Sequence, residues 1–249
     1  LYKERDKTYA GIKKELSPYG VCGLDFKELE ADEKKYVKKC FKEQILPVLS
    51  PQIVDSSHPF PHLMNKDIYV TANLKHINSR KNKDDKEKEQ ILGIVPVPTY
   101  VSDILMLPGH DIRYIRMEKV IMEYLDLVFD QYEVSDPNYI CVTRNADVSP
   151  DDEALEVTDD FRKLMQSTLH KRRRMAVVRL ETAEKLTPEM QEYFCKKFKI
   201  TPEQIFRTKM PMKLDYMFSI AGNLPESMKK ALVYEPFSPQ KSAHVQDGN

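Results

Sequence analysis

Two histidines four residues apart, His58 and His62, stand in the run PVLSPQIVDSSHPFPH over residues 47–62. On a helix that spacing would offer two imidazoles to one metal ion. Pro59 and Pro61 forbid the helix, because proline fixes its own φ and lacks an N–H, and it pushes the residue before it toward extended geometry. No carboxylate or cysteine follows at ligand spacing, so we expect no metal here. With Pro47 and Pro51 adding to the restriction, the stretch reads as a rigid corner, with the Phe60 ring buried and His58 hydrogen-bonded.

Arginines supply the other candidate chemistry. HKRRR at residues 170–174 is followed by Arg179 in the next apolar run, and guanidinium groups pair bidentately with phosphoryl oxygens. Arg172, Arg173, Arg174 and Arg179 are therefore the candidate phosphate contacts, against the plainer reading of a solvated helix end. Arg144 and Asp147 lie three apart in VTRNAD. They could meet a phosphate, but a partly buried charge needs a partner, and an internal ion pair is the expected arrangement. A phosphate-cradling glycine loop is missing, there being only 7 glycines in all. No Ser-His-Asp or Cys-His pairing has local support. Without tryptophan, and with scattered aromatic residues, a stacking platform for single-stranded nucleic acid is unsupported, and no nucleic-acid partner is expected.

The elements that must position these residues belong to an ordinary globular composition. Hydrophobic residues are 41% and charged residues 31% of 249, enough for one large domain with or without a fragment of a second. Lysine plus arginine and aspartate plus glutamate are equal at 39 each, so any anionic partner needs a local patch. Cys22, Cys40, Cys141 and Cys195 are widely spaced, which argues against a zinc or redox motif and for a reduced cytoplasmic setting. No apolar run reaches the roughly 18–20 residues that span a bilayer. The ends read as cut from something longer: LYKERDKTYAGIKKEL opens mid-pattern, and SPQKSAHVQDGN closes with nothing to bury.

Along the chain, residues 1–17 read as the tail of a helix stopped by Pro18 and Gly20, and 20–26 as a short strand. Residues 30–46 form a helix with Tyr36, Val37, Cys40, Phe41 and Ile45 inward. Residues 67–76 and 89–99 pair as a hairpin across the charged segment 78–88, expected to be mobile, and Pro96 and Pro98 place the second strand at an edge. One amphipathic helix is expected over 117–129, a strand over 138–148, a helix over 159–174 and a strand over 175–181. Thr187-Pro188 starts a helix in N-cap then N1 order, and Thr201 with Gln204 forms a capping box before a strand from 205. Helices mixed with strands and a hairpin give an α+β class: a mixed sheet with several packed amphipathic helices.

PVLSPQIVDSSHPFP, then VTRNADV, then KRRRMAVVRLE, in this order and spacing, resemble the polyphosphate kinase family of the long, multidomain bacterial type. The resemblance covers nearly the whole chain and implies its middle, or head, domain at residues 18–234. Residues 1–17 would then end the helical N-terminal domain, and 235–249 would lead toward catalytic domains. It further implies an enzyme that reversibly transfers the terminal phosphate of ATP to polyphosphate through a phosphohistidine, with Mg2+. The acceptor histidine and the phosphate-binding arginines of that family lie in C-terminal domains similar to phospholipase D, and none of the matching positions is in this sequence. The implied role of the segment is dimer formation and the walling of an active-site tunnel, without catalytic, cofactor-binding or metal-binding residues of its own. Pro51, Asp55, His58, Pro59, Phe60, Pro61, Arg144 and Asp147 would be motif residues of structural use. A free-standing polyanion-binding module is the alternative. The implied location is cytoplasmic, including peripheral attachment at the inner face of the membrane.

Overall fold

The computed structural model describes residues 1–77, 91–109, 111–145, 162, 175–232 and 234–239. The expected mobile segment 78–88 and, apart from residue 162, the expected helix 159–174 lie outside the described residues. The α+β expectation holds: helices pack on two mixed sheets.

The larger sheet has the order β2-β4-β3-β7-β8-β9. Its strands are β2 (Gln52–Val54), β3 (Ile68–His76), β4 (Ile91–Pro96), β7 (Tyr132–Arg144), β8 (Val177–Thr182) and β9 (Ile205–Arg207). All neighbours are antiparallel except β8 and β9. The smaller sheet, β1-β6-β5, comprises β1 (Val21–Leu24), β5 (Ile104–Met106) and β6 (Ile112–Arg116), with β1 parallel and β5 antiparallel to β6.

Strand alternation sends successive side chains to opposite faces, and here both faces of the larger sheet are covered. Val70, Ala72 and Leu74 of β3 and Ile91 and Val95 of β4 face one core. That core includes Val37, Phe41 and Ile45 from α2 (Ala31–Cys40) and the π-helical turn after it, with Val120 and Ile121 from α3 (Met117–Glu123) and Leu125 from α4 (Leu125–Val128). On the opposite face Tyr69, Leu92, Ile94, Ile140, Val142 and Leu180 pack against Met190, Phe194 and Phe198 of α5 (Pro188–Phe198). Thr187 caps α5 as expected, its hydroxyl oxygen accepting from the Met190 N–H at 3.3 Å. The Thr201–Gln204 capping box is also present. A third core joins the small sheet to Tyr216, Ile220 and Leu224, from α6 (Tyr216–Asn223) and its C-cap. α6 is followed by α7 (Glu226–Leu232), and α1 (Tyr2–Leu16) precedes the whole.

Several expectations are corrected. β4 is not an edge strand: β2, drawn from the proline-rich corner, covers its outer side, pairing Gln52 through Val54 with Ile94 through Leu92. Pro96 is tolerated because it lies past the end of that pairing. The helix expected over 117–129 is two helices, broken at Tyr124, whose φ is −111° and ψ 27°. Its ring meets Phe41 at 4.8 Å and Phe26 at 5.6 Å, and this aromatic packing takes the place of an unbroken helix. Tyr36 is on the exposed side of α2, and Glu33 is buried instead, paired with Arg113 at 3.0 Å. β7 starts well before the expected residue 138.

The two sheets meet at one buried ion pair. Arg116 ends β6 and Glu118 opens α3, and the pair is in direct hydrogen-bonded contact, with side chains 8% and 7% exposed. A second Arg116 nitrogen donates to the Tyr139 hydroxyl of β7 at 3.2 Å. Burial alone would push the Arg116 guanidinium down, but the Glu118 charge and the Tyr139 hydroxyl together outweigh it and hold the group above its usual range.

Two measurements check this packing. A Cβ on Gly93 would come within 2.7 Å of the Phe129 ring, so Gly93→Ala is expected to lose about 1–3 kcal/mol in denaturant unfolding. Glu118→Ala leaves the Arg116 charge buried without a counter-charge, a loss of about 3–5 kcal/mol. The double replacement Arg116→Met with Glu118→Leu should cost less than the sum of the single ones, and additive losses would contradict the coupling.

Candidate functional site

The corner at residues 51–62 is held by one carboxylate. Asp55 accepts from the backbone N–H groups of Ser57 (2.8 Å) and His58 (2.7 Å), and its Oδ1 lies 2.9 Å from His58 Nδ1. This is the local turn that Asp side chains favour, closed by a backbone bond from Asp55 N–H to the His58 carbonyl at 3.3 Å. The expected hydrogen bond at His58 is present. Pro51 and Pro59 are exposed and Pro61 is partly buried. Phe60 is only half-buried, a correction to the expectation of a core ring. It rests on the rim of the second core against Phe198 (5.4 Å) and Tyr193 (6.1 Å).

Arg144, at the end of β7, draws three separate segments together. Its Nε and Nη2 donate to the Leu63 carbonyl at 3.0 and 2.8 Å, and Nη1 donates to the Met175 carbonyl at 2.7 Å. Nη2 also lies 3.5 Å from His62 Nδ1, and the Arg144 N–H donates to Asn65 Oδ1 at 2.8 Å. The planar guanidinium suits this use, since its five donors point in fixed directions at carbonyls that would otherwise lack partners. HPFPH, VTRN and the strand-entry Met175 thus converge on one side chain. Asp147, the expected ion-pair partner, lies outside the described residues.

Of the candidate phosphate contacts, Arg172, Arg173 and Arg174 lie outside the described residues. Arg179 sits directly across the β7–β8 ladder from Thr143, and its Nη2 and Nε donate to the Thr143 hydroxyl at 3.0 and 3.2 Å. Its guanidinium also faces Glu181 at 3.6 Å. Glu181 was not singled out from the sequence. Its side chain is 6% exposed, with Arg5 at 3.4 Å and the Tyr2 hydroxyl donating at 3.0 Å. The signal was a carboxylate in an otherwise apolar strand, which has to find a partner.

That partner comes from α1. Tyr2, Arg5, Asp6 and Tyr9 share one helical face. The Tyr2 ring stacks on Phe206 of β9 at 4.8 Å, and Arg5 donates to the Thr208 hydroxyl at 2.6 Å. Asp6 accepts from the Lys209 and Met210 N–H groups at 3.2 and 3.1 Å. α1 buries no residue fully, so polar contacts and one ring stack hold this face to the sheet. Chemically, these networks bind and orient segments of the protein. Among the described residues no group of three or more His, Cys, Asp or Glu is placed to hold a metal ion.

Comparison with known proteins agrees with this architecture. A family model described as the polyphosphate kinase middle domain matches residues 32–220. A polyphosphate kinase of Bacillus anthracis is 29% identical over 231 residues, covering 92% of this chain and 32% of that protein. One of Halalkalibacterium halodurans is 30% identical over 228 residues, covering 90% of this chain and 31% of that protein. The chain therefore spans about a third of the length of these curated relatives. The crystal structure of polyphosphate kinase from Porphyromonas gingivalis superposes with a TM-score of 0.67 at 23% identity, covering 98% of this chain and 34% of that one, and shares the fold. With the middle-domain model matched across both cores of the larger sheet, this chain belongs to the polyphosphate kinase family.

Proposed function

We propose that this chain is the non-catalytic head domain of a polyphosphate kinase, a scaffold that supports phosphoryl transfer carried out by other parts of the protein. The observation that carries the reading is the middle-domain match over residues 32–220. The motif residues support it by their use. Arg144 is occupied by the Leu63 and Met175 carbonyls, Arg179 by Thr143, and His58 by Asp55. Transfer of the terminal phosphate of ATP to polyphosphate, through a phosphohistidine and with Mg2+, is proposed for the whole protein. Phosphoryl transfer depends on positioned cations and metal, and the described residues offer no cluster that fits Mg2+. As part of the same proposal, ATP and Mg2+ are handled by other parts of the protein, and no step of the transfer is routed through these residues.

In this reading residues 1–17 end the preceding N-terminal domain, 18–234 are the head domain and 235–249 lead toward the catalytic domains. The head domain is proposed to contribute to a homodimer and to the wall of the active-site tunnel, in the cytoplasm or at the inner face of the membrane. No described helix is long and apolar enough to cross a membrane.

Incubation of the 249-residue chain with terminally labelled ATP and magnesium is expected to leave no stable label on it, and a stable phosphohistidine here would contradict the scaffold reading. Arg144→Met removes the donors to two carbonyls, and an expected loss of about 1–3 kcal/mol should appear in the unfolding of the chain itself. If the residue met phosphate instead, stability would be unchanged, and only polyphosphate synthesis by the full-length enzyme would fall.

A further inference from the structure

α6 is apolar on both of its faces. Tyr216, Ile220 and Leu224 point into the core of the small sheet, with Met217 packed beside them. Leu214, Phe218, Ala221 and Gly222, at positions i, i+4, i+7 and i+8, share the opposite face. The Met217 N–H donates to the Leu214 carbonyl at 2.9 Å, so the first turn extends back to Leu214. This face is open: the Phe218 side chain is 82% exposed, Leu214 is 43% exposed, and Ala221 and Gly222 are exposed as well. No residue from Tyr216 to Pro225 is charged, and charge resumes only at Asp215 and Glu226. A Cβ on Gly222 would meet no atom within 4 Å, so packing inside this domain does not require a glycine there, although glycine weakens a helix. A helix that is apolar all round belongs where it is covered all round, and an apolar patch with a polar rim marks an interaction surface.

We propose that the outward face of α6 docks an apolar helix face or loop from the part of the polypeptide that follows residue 249 in the longer protein. An aliphatic or aromatic side chain of that segment lies over Ala221 and Gly222, beside the Phe218 ring. The proposal rests on the scaffold reading, in which this middle domain spans about a third of a polyphosphate kinase. Two observations favour a tethered occupant over a free one. α6 and α7 are the last described helices, and every residue from Tyr234 to Pro239 is exposed, so the chain that follows is tethered to α6 through one short helix. The size of the face points the same way. One aromatic and one aliphatic side chain offer about 200–300 Å², against the roughly 800 Å² per partner that free proteins bury in stable association. A segment on a short linker meets the face at an effective concentration in the millimolar range, where a small apolar contact is enough. The missing side chain at Gly222 lets a neighbouring backbone or ring approach closely.

Hydrogen exchange of the α6 amides, compared between the full-length protein and the 249-residue chain, tests it. Tyr216–Asn223 are expected to exchange about tenfold more slowly in the full-length protein. Phe218→Glu should abolish that difference and leave the melting temperature of the 249-residue chain unchanged, because the side chain is exposed there. Gly222→Gln should act with opposite signs in the two proteins, which a role in local stability alone would not produce. It slows α6 exchange in the 249-residue chain, where a better helix former replaces glycine, and speeds it in the full-length protein, where the added side chain blocks the face. Equal exchange of α6 in the two proteins would overturn the proposal, and so would full-length protection that survives Phe218→Glu. Self-association of the 249-residue chain that Phe218→Glu abolishes would assign the face to a second copy. Binding to phosphatidylglycerol vesicles that depends on Phe218 would assign it to a membrane, and either result overturns the docking. Stable label from ATP on the 249-residue chain would instead refute the scaffold reading, and exchange at α6 would still decide the docking.

Discussion

The Arg116–Glu118 pair is the constraint on which the arrangement of this domain rests. Two sheets of different strand order meet where β6 ends and α3 begins, and at that junction the chain buries a charge of each sign. Removing two charges from water is costly, and mutual attraction offsets that cost only with good geometry and further hydrogen bonds. The Tyr139 hydroxyl supplies one such bond from β7, so the pair is satisfied only when the small sheet, α3 and the large sheet sit in their native relation. Apolar packing alone tolerates small slides between layers. A buried, directional pair does not.

Arginine serves elsewhere in the same way, as an internal tie. Arg144 gathers the corner, the end of β7 and the entry to β8, while Arg179 and Arg5 face a single buried carboxylate, Glu181. Arg144 and Arg5 join segments distant in sequence, and they use carbonyls, a hydroxyl and a carboxylate in partly buried surroundings, where polar groups need partners. Rigid placement of several chain segments by their backbones is what a scaffold requires. Lysines, by contrast, line a cleft between α1 and the small sheet, where Lys13, Lys119 and Lys209 stand beside Asp6 and Asp25.

The proline-rich corner combines both levels of organisation. Its restricted backbone follows from Pro51, Pro59 and Pro61, and the Asp55 turn from the short reach of an aspartate to its own following N–H groups. Yet the same stretch also supplies β2, which covers the outer side of β4 and leaves a strand of only three residues as the sheet's edge there. A run of three residues between prolines shows no strand periodicity of its own. Only the presence of β4 beside it makes Gln52 through Val54 a strand.

Local chemistry in the sequence was enough to determine the α+β class, the β3–β4 hairpin, the Thr187 cap of α5, the 201–204 capping box, the inward positions from Val37 to Ile45 along α2 and the turn after it, and the family resemblance. These depend on periodicity, caps and turn residues that act within a few positions of one another. The small sheet, the break at Tyr124, the covered edge of β4 and the docking of α1 through Glu181 were decided by tertiary structure. Each is a meeting of residues far apart in the chain: β1 with β6, Tyr124 with Phe26 and Phe41, Arg5 with Glu181 across 176 positions. Pairing across such separations carries no periodic signal in either partner. It is set by which surfaces remain to be covered, and which buried charges remain to be satisfied, once the local elements have formed.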